Sequence, residues 1–361
     1  MKLAAWVSFA RYMATLGFCL TTFSSALFLI LKIFYVKEKV GSYRNLLIVL
    51  PVTGFLFASC EFVMDPFFHS YNKGFAFFRL TSFESFSLTF NKCVLGCYVA
   101  FYGSTISILA LQFVYRYWAV FSPKNLQTFF DGPRFIFPLL YVIFSFVSWF
   151  VNAFVFNSLD AYSSEYLEKD IIESYGVIIS EQPAFVLVAY DDEGNIRMRN
   201  SLGLMVMTFL LIFQYSIIIY CSIVTSLKMH QKLSSFSTNV QKVHKQFYHA
   251  LILQITTPTL TLFLPVFALF FVPYLNIEIS FSTGSCMSAF AFYPAIDILI
   301  MIYVTSYYNQ ALREISMLEM SNQAMKLLLH SVGVKLTDRL TADRADRADQ
   351  HLTDPPGQVV V

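Results

Sequence analysis

Arg116 lies where the apolar run 86–115 ends, in the order Phe113-Val114-Tyr115-Arg116-Tyr117-Trp118. At such a boundary an arginine can bury its methylenes and leave the guanidinium among polar groups, a plain anchor. It can equally serve as a latch. Its charge is permanent and its donors are forked, so an acid or a carbonyl can hold it in one state and release it in another. Tyr115 and Tyr117 flank it on either reading. A second candidate is Asp297, in Tyr293-Pro294-Ala295-Ile296-Asp297 of the last apolar run. An acid inside a membrane helix costs about 2.5–3.5 kcal/mol on insertion scales, so it must face a polar partner. Pro294 removes a backbone hydrogen bond and bends the helix beside that acid. Asp297 is therefore either a switch partner or a static bond to neighbouring Ser or Tyr. A third group is Gln254, Pro258 and Pro265. The two prolines are seven residues apart, so they share a helical face and their bends add. Such bends absorb motion because neighbouring groups re-satisfy the freed carbonyls.

Enzyme chemistry finds no footing. No G-x-S-x-G, H-E-x-x-H or glycine-rich phosphate loop occurs, and no two of the six histidines pair at ligand spacing within an apolar run. The expectation is a protein without catalytic residues, metal or cofactor. Cys19, Cys60, Cys93, Cys97, Cys221 and Cys286 all fall in or beside apolar runs, where they read as small packing residues. Glu61 and Asp65 stand just before Pro66, either beside a pocket or at the polar boundary.

The elements that must position these residues are seven apolar runs, at 13–36, 45–66, 86–115, 135–157, 202–227, 247–272 and 280–306. Each is long enough to cross a bilayer as a helix. Apolar residues make up 57% of the 361 and charged residues 13%, against roughly 25% in a soluble domain. The fold class is thus an all-α membrane protein, a seven-transmembrane-helix bundle. A net charge of +2 gives nucleic acid nothing to bind; the lipid bilayer is the partner. With the amino terminus outside, the inner connections and tail hold all but eight of the 25 Lys and Arg. The outer eight are Lys2, Arg11, Lys73, Arg79, Lys92, Lys169, Arg197 and Arg199. This satisfies the positive-inside rule and puts the carboxyl terminus in the cytoplasm. The segment 158–200 is acidic, either solvated surface or a lid that collects ligand above a pocket. Ala311, Leu312, Ile315 and Leu318 share one helical face, as in a short helix lying along the membrane. Residues 1–320 then form the bundle with that juxtamembrane helix, and 321–361 a disordered cytoplasmic tail.

Four stretches, taken in order, resemble the Str-type nematode seven-transmembrane chemoreceptors. They are Gly41-Ser42-Tyr43-Arg44-Asn45-Leu46-Leu47, Phe113-Val114-Tyr115-Arg116-Tyr117, the run from Val243 to Gln254 with Pro258 and Pro265, and Tyr293-Pro294-Ala295-Ile296-Asp297. Ser24 and Ser25 stand where relatives often carry Asn, and Tyr308-Asn309 where they commonly carry Tyr-Arg. The resemblance implies a G-protein-coupled, olfactory-type receptor. It would bind a small-molecule odorant or pheromone in the bundle and signal to a heterotrimeric G protein from the plasma membrane of a sensory cilium. Tyr115, Arg116, Tyr117, Pro258, Tyr293, Pro294 and Asp297 would form the coupling switch. A seven-helix ligand-gated cation channel is the alternative, and a transporter a more distant one.

Overall fold

The computed structural model describes residues 2–35, 43–80, 86–233, 252–275, 277, 280–282, 284–304, 308, 310–314 and 317. The stretches 41–42 and 243–251 of the resemblance and the tail 321–361 lie outside the described residues. Contacts divide the chain into two units, Met1–Thr305 and Ser306–Val361. In the second unit residues 310–314 are helical, and Gln310 Nε2 donates to Glu314 Oε1 at 2.9 Å.

The first unit is a helical bundle with a folded cap. Its long helices are α1 (Lys2–Ile30), α2 (Tyr43–Met64), α3 (Leu88–Phe121), α5 (Ile136–Phe156) and α7 (Met198–Leu233). A broken sixth span and α10 (Gly284–Val304) complete the bundle. Five described stretches are long and apolar enough to cross a membrane: Val7–Phe34, Leu88–Ala119, Gly132–Phe156, Met198–Lys228 and Ile252–Leu275. Ile48–Met64 and Phe292–Tyr303 are shorter apolar helices that bring the spans to seven. α3 is the central post, packed on α2, α5 and α7, while α1 packs on α2 and α10.

Lipid tails give no hydrophobic drive between helices, so close backbone approach and polar ties must hold the bundle. Gly103 of α3 supplies the first, because a Cβ there would stand 2.1 Å from the Trp149 ring of α5. Ser145 Oγ supplies the second. It donates to the Gly103 carbonyl at 3.1 Å and accepts from Gln214 Nε2 of α7 at 3.3 Å. Asn152 Nδ2 likewise reaches the Gly203 carbonyl at 3.1 Å.

The sixth span is where the two prolines act. Helix α8 covers 252–258, a π turn runs Thr259–Phe263, and α9 covers Leu264–Phe271. The Leu264 N–H reaches back five residues to the Thr259 carbonyl, so this span carries a π turn between Pro258 and Pro265.

The acidic segment is a folded structure. β1 (Pro66–Tyr71) and β2 (Gly74–Arg79) form a hairpin, which β3 (Ala184–Val188) and β4 (Ser280–Ser282) extend into an antiparallel sheet of order β3-β2-β1-β4. Successive strand side chains point to opposite faces. Phe67, Ala76, Phe78, Ala184, Val186 and Val188 meet Leu167 and Ile171 of α6 (Ala161–Tyr175). Phe68, Phe75, Phe77, Phe185 and Leu187 belong instead to the bundle core. The cap core, unlike the spans, gains from leaving water, at about 1.5–3 kcal/mol for each fully buried Phe or Leu. A capping box at Asp160 and Ser163 starts α6. α4 (Pro123–Phe130) closes the opposite end between α3 and α5.

Candidate functional site

Beneath the sheet lies a cavity of about 90 Å³. Its roof is the bundle-facing row of the sheet, with Phe68, Phe77 and Phe185 in the wall. Its sides are Tyr98 and Tyr102 of α3 and Trp149 of α5, and α9 closes it with Val266, Leu269 and Phe270. Tyr102 meets Trp149 edge-on at 5.2 Å and Phe290 of α10 at 5.5 Å. The Tyr102 hydroxyl also donates to the Leu262 carbonyl at 3.0 Å, inside the π turn. A second tie holds that turn, the 2.9 Å contact between Tyr215 Oη of α7 and Thr259 Oγ1.

The other end of the bundle holds the charged residues. Arg116 Nη1 donates to Gln254 Oε1 of α8, and Arg116 Nη2 lies 3.1 Å from Met301 Sδ of α10. The acceptor that holds Arg116 is therefore a carboxamide oxygen. Asp297 sits one turn before Met301, is buried, and feels the opposite charge of Arg116. Tyr293 is one further turn toward the cap, also buried, beside a small recess lined by Thr53, Gly54, Thr105 and Pro294. A Cβ at Gly54 would stand 2.9 Å from Pro294 Cβ, so α2 and α10 touch where Pro294 interrupts α10.

Two of the expected switch residues turn away from this cluster. Tyr115 meets Phe130 of α4 edge-on at 5.2 Å. Tyr117 faces Tyr220 of α7 at 6.1 Å, and Lys228 Nζ stands 5.8 Å above its ring. Pro258 ends α8, so it joins the cluster through the backbone that carries Gln254. Tyr102, Trp149 and Leu262 are the residues that sequence reasoning passed over. Nothing in the sequence distinguishes Tyr102 from the other aromatics of α3.

The cap is braced by charge. Asp65 pairs with Arg11 of α1 at 2.5 Å and stands outside the cavity, as does Glu61. Asp160 pairs with Arg197, and Lys73 Nζ donates to the Asp191 carbonyl at 2.7 Å. Burial opposes ionisation of Asp160. The hydrogen bonds from Ser163 and the charge of Arg197 outweigh it and hold the carboxyl below its usual range. His69 is buried, with Nε2 on Asp170 and Nδ1 3.1 Å from the Tyr175 hydroxyl. A carboxylate only accepts, so Nε2 carries the proton and the neutral ring accepts from Tyr175. Burial pushes the imidazole below its ordinary value, and the bond to Asp170 offsets this only in part. Among the described residues no group of three or more His, Cys, Asp and Glu could hold a metal ion.

Comparison with known proteins extends these findings over nearly the whole chain. The family model described as serpentine type 7TM GPCR chemoreceptor Str matches residues 10–313. The Caenorhabditis elegans G-protein coupled receptor str-33 is 30% identical over 311 residues, covering 85% of this chain and 90% of that protein. Serpentine receptor class r-10 of the same organism is 23% identical over 279 residues, covering 76% and 81%. Its Caenorhabditis briggsae counterpart is 24% identical over 286 residues, covering 76% and 80%. With seven apolar spans and a match from the first helix to the residues after the last, the chain is a multi-pass membrane protein and belongs to the Str family of serpentine chemoreceptors.

Proposed function

We propose that this chain is a G-protein-coupled chemosensory receptor whose ligand occupies the cavity beneath the sheet. In this reading the cap and amino terminus face outside, Arg116 faces the cytoplasm, and the chain resides in the plasma membrane. The positive-inside count favours that orientation, and the coupling is suggested by a relative named as a G-protein coupled receptor. The observation that carries the reading is that one span borders both ends of the bundle. α9 forms cavity wall, α8 supplies the acceptor for Arg116, and a π turn joins them.

Signal passage then has a physical route. A molecule that moves the Tyr102 ring releases the Leu262 carbonyl. The π turn can then relax to α, which shifts α8 by one residue relative to α9. One residue of α-helix is about 1.5 Å of rise and about 100° of rotation. That is enough to carry Gln254 off Arg116, leaving the guanidinium for a heterotrimeric G protein. Asp297 and Tyr293, with Pro294 as the bend, bias Arg116 from α10. Tyr115 and Tyr117 fix the end of α3 against α4 and α7. The ligand must bind the two arrangements unequally, by about 5.5 kcal/mol for a shift from 1:99 to 99:1. Residues 1–320 carry these steps, with 321–361 as a cytoplasmic tail.

The test is a chemically broad panel of small molecules applied to cells expressing the chain, with calcium and cyclic nucleotides recorded. A response abolished by G-protein blockade supports the reading. A response that survives blockade as a direct current contradicts it and favours an ion channel.

A further inference from the structure

Among the described residues, four in the cavity wall carry polar side-chain atoms: Tyr98, Tyr102, Trp149 and Asn157. Each of these groups is occluded or engaged elsewhere. The Tyr102 hydroxyl is committed to Leu262, and Asn157 Nδ2 donates to Asn152 Oδ1 at 3.2 Å. The pyrrole edge of Trp149 lies against α3, its Nε1 only 2.5 Å from where a Gly103 Cβ would stand. The Tyr98 hydroxyl is fully buried behind the wall and makes no hydrogen bond with any described residue. Trp149 Nε1 and Asn157 Oδ1 likewise make no hydrogen bond with any described residue, and both atoms are buried behind the carbon surface that faces the cavity. Among the described residues no Asp, Glu, Lys, Arg or His contributes to the wall.

We infer that this cavity takes a small, uncharged, hydrocarbon-like molecule, held by shape and dispersion and by no charge or hydrogen bond. The inference deepens the receptor reading above by naming the ligand class of the same site. A charged group placed against this wall would lose its water and gain no partner, and a bare hydroxyl would suffer the same loss on a smaller scale. A carbon surface suffers neither. The size limit is equally plain. An apolar cavity of roughly 150 Å³ stays dry and accepts a benzene ring, and this one measures about 90 Å³. Met207 in the wall is the side chain best able to yield, because its unbranched thioether re-packs easily. The occupant is thus at most a single ring, admitted as Met207 re-packs, or a short branched chain.

Trp149 provides the readout. In the chain with Trp6 and Trp118 replaced by Phe, reconstituted in lipid nanodiscs, Trp149 emission is recorded during titration with benzene, benzoate and resorcinol. The expected result is a saturable benzene response, with benzoate and resorcinol at least tenfold weaker. Ala153→Leu adds carbon to the wall and should weaken benzene at least tenfold. Val266→Leu, a smaller addition, should weaken it less and guards against a folding defect in the first variant. Benzoate or resorcinol binding as tightly as benzene overturns the inference. So does the absence of a saturable benzene response in folded protein, or a response that both variants leave unchanged. Because no signalling partner is present, binding and receptor function are read separately. Hydrocarbon binding without any G-protein response in cells would reject the receptor reading alone. A G-protein response confined to charged compounds would reject the ligand class alone.

Discussion

The Tyr102 hydroxyl donates a 3.0 Å hydrogen bond to the Leu262 carbonyl, joining the cavity wall to the π turn between Pro258 and Pro265. Tyr102→Phe keeps the ring and removes only this bond. A buried hydrogen bond contributes about 1 kcal/mol, which is about fivefold in an equilibrium. Basal signalling should therefore rise by about that factor, with surface delivery unchanged. Basal activity equal to that of the parent would detach Tyr102 from the switch.

Arg116 and Gln254 form the matching tie at the far end. Gln254→Leu leaves the guanidinium without its acceptor and should also raise basal signalling. Arg116→Ala should abolish signalling while the protein still reaches the surface. Dose–response curves beside surface labelling separate these outcomes from loss of folding. Unchanged signalling in Arg116→Ala would reduce the residue to a membrane anchor.

Asp297 is buried and interacts with the charge of Arg116. Asp297→Asn preserves shape and removes that attraction, so basal or evoked activity should change at constant expression. An effect on expression alone would assign Asp297 to packing.

Gly54 and Pro294 define where α2 and α10 meet. Gly54→Ala places a Cβ 2.9 Å from Pro294 Cβ, inside normal contact. Overpacking of this kind costs about 1–3 kcal/mol. The thermal midpoint of the purified protein should fall, and Gly54→Val should lower it further.

How much of this was legible in the sequence differs from element to element. The seven spans were, because runs such as Phe135–Phe156 contain almost nothing else. The paired prolines were too, and they frame the π turn, although proline spacing alone does not tell a kink from a π turn. The cap was not. Strand residues Phe75, Phe77 and Phe78 face apolar partners on both sides of the sheet, so the alternation that marks a half-buried strand is lost. In α6 the pair Leu167 and Ile171 marks the buried face, but nine acids from Asp160 to Glu193 leave the segment reading only as solvated surface or a lid, without a core of its own. The cavity was also hidden, since its wall draws residues from the sheet and from five separate spans.

The cap should respond to acid through His69, which faces Asp170 and Tyr175 of α6. Its folded value lies below 6.5, so below that pH the unfolded state binds the proton more readily. Stability is then present above 6.5 and is lost as pH falls toward the folded value. Protection of the β1 amides against hydrogen exchange, corrected for intrinsic rate, should drop from pH 7.5 to pH 5.5. His69→Gln should flatten that dependence. An unchanged slope in the variant would place the acid response elsewhere.

The coupling between cavity and Arg116 is tested most directly by a distance. Spin labels at the exposed positions Ala119 of α3 and Leu253 of α8 report their separation in nanodiscs, before and after a molecule that evokes a response in cells. The separation should change in the parent chain and stay fixed in Ala153→Leu, whose cavity is filled. An unchanged distance in the parent, alongside an intact cellular response, would contradict the coupling of cavity occupancy to α8 and remove the role assigned to the π turn.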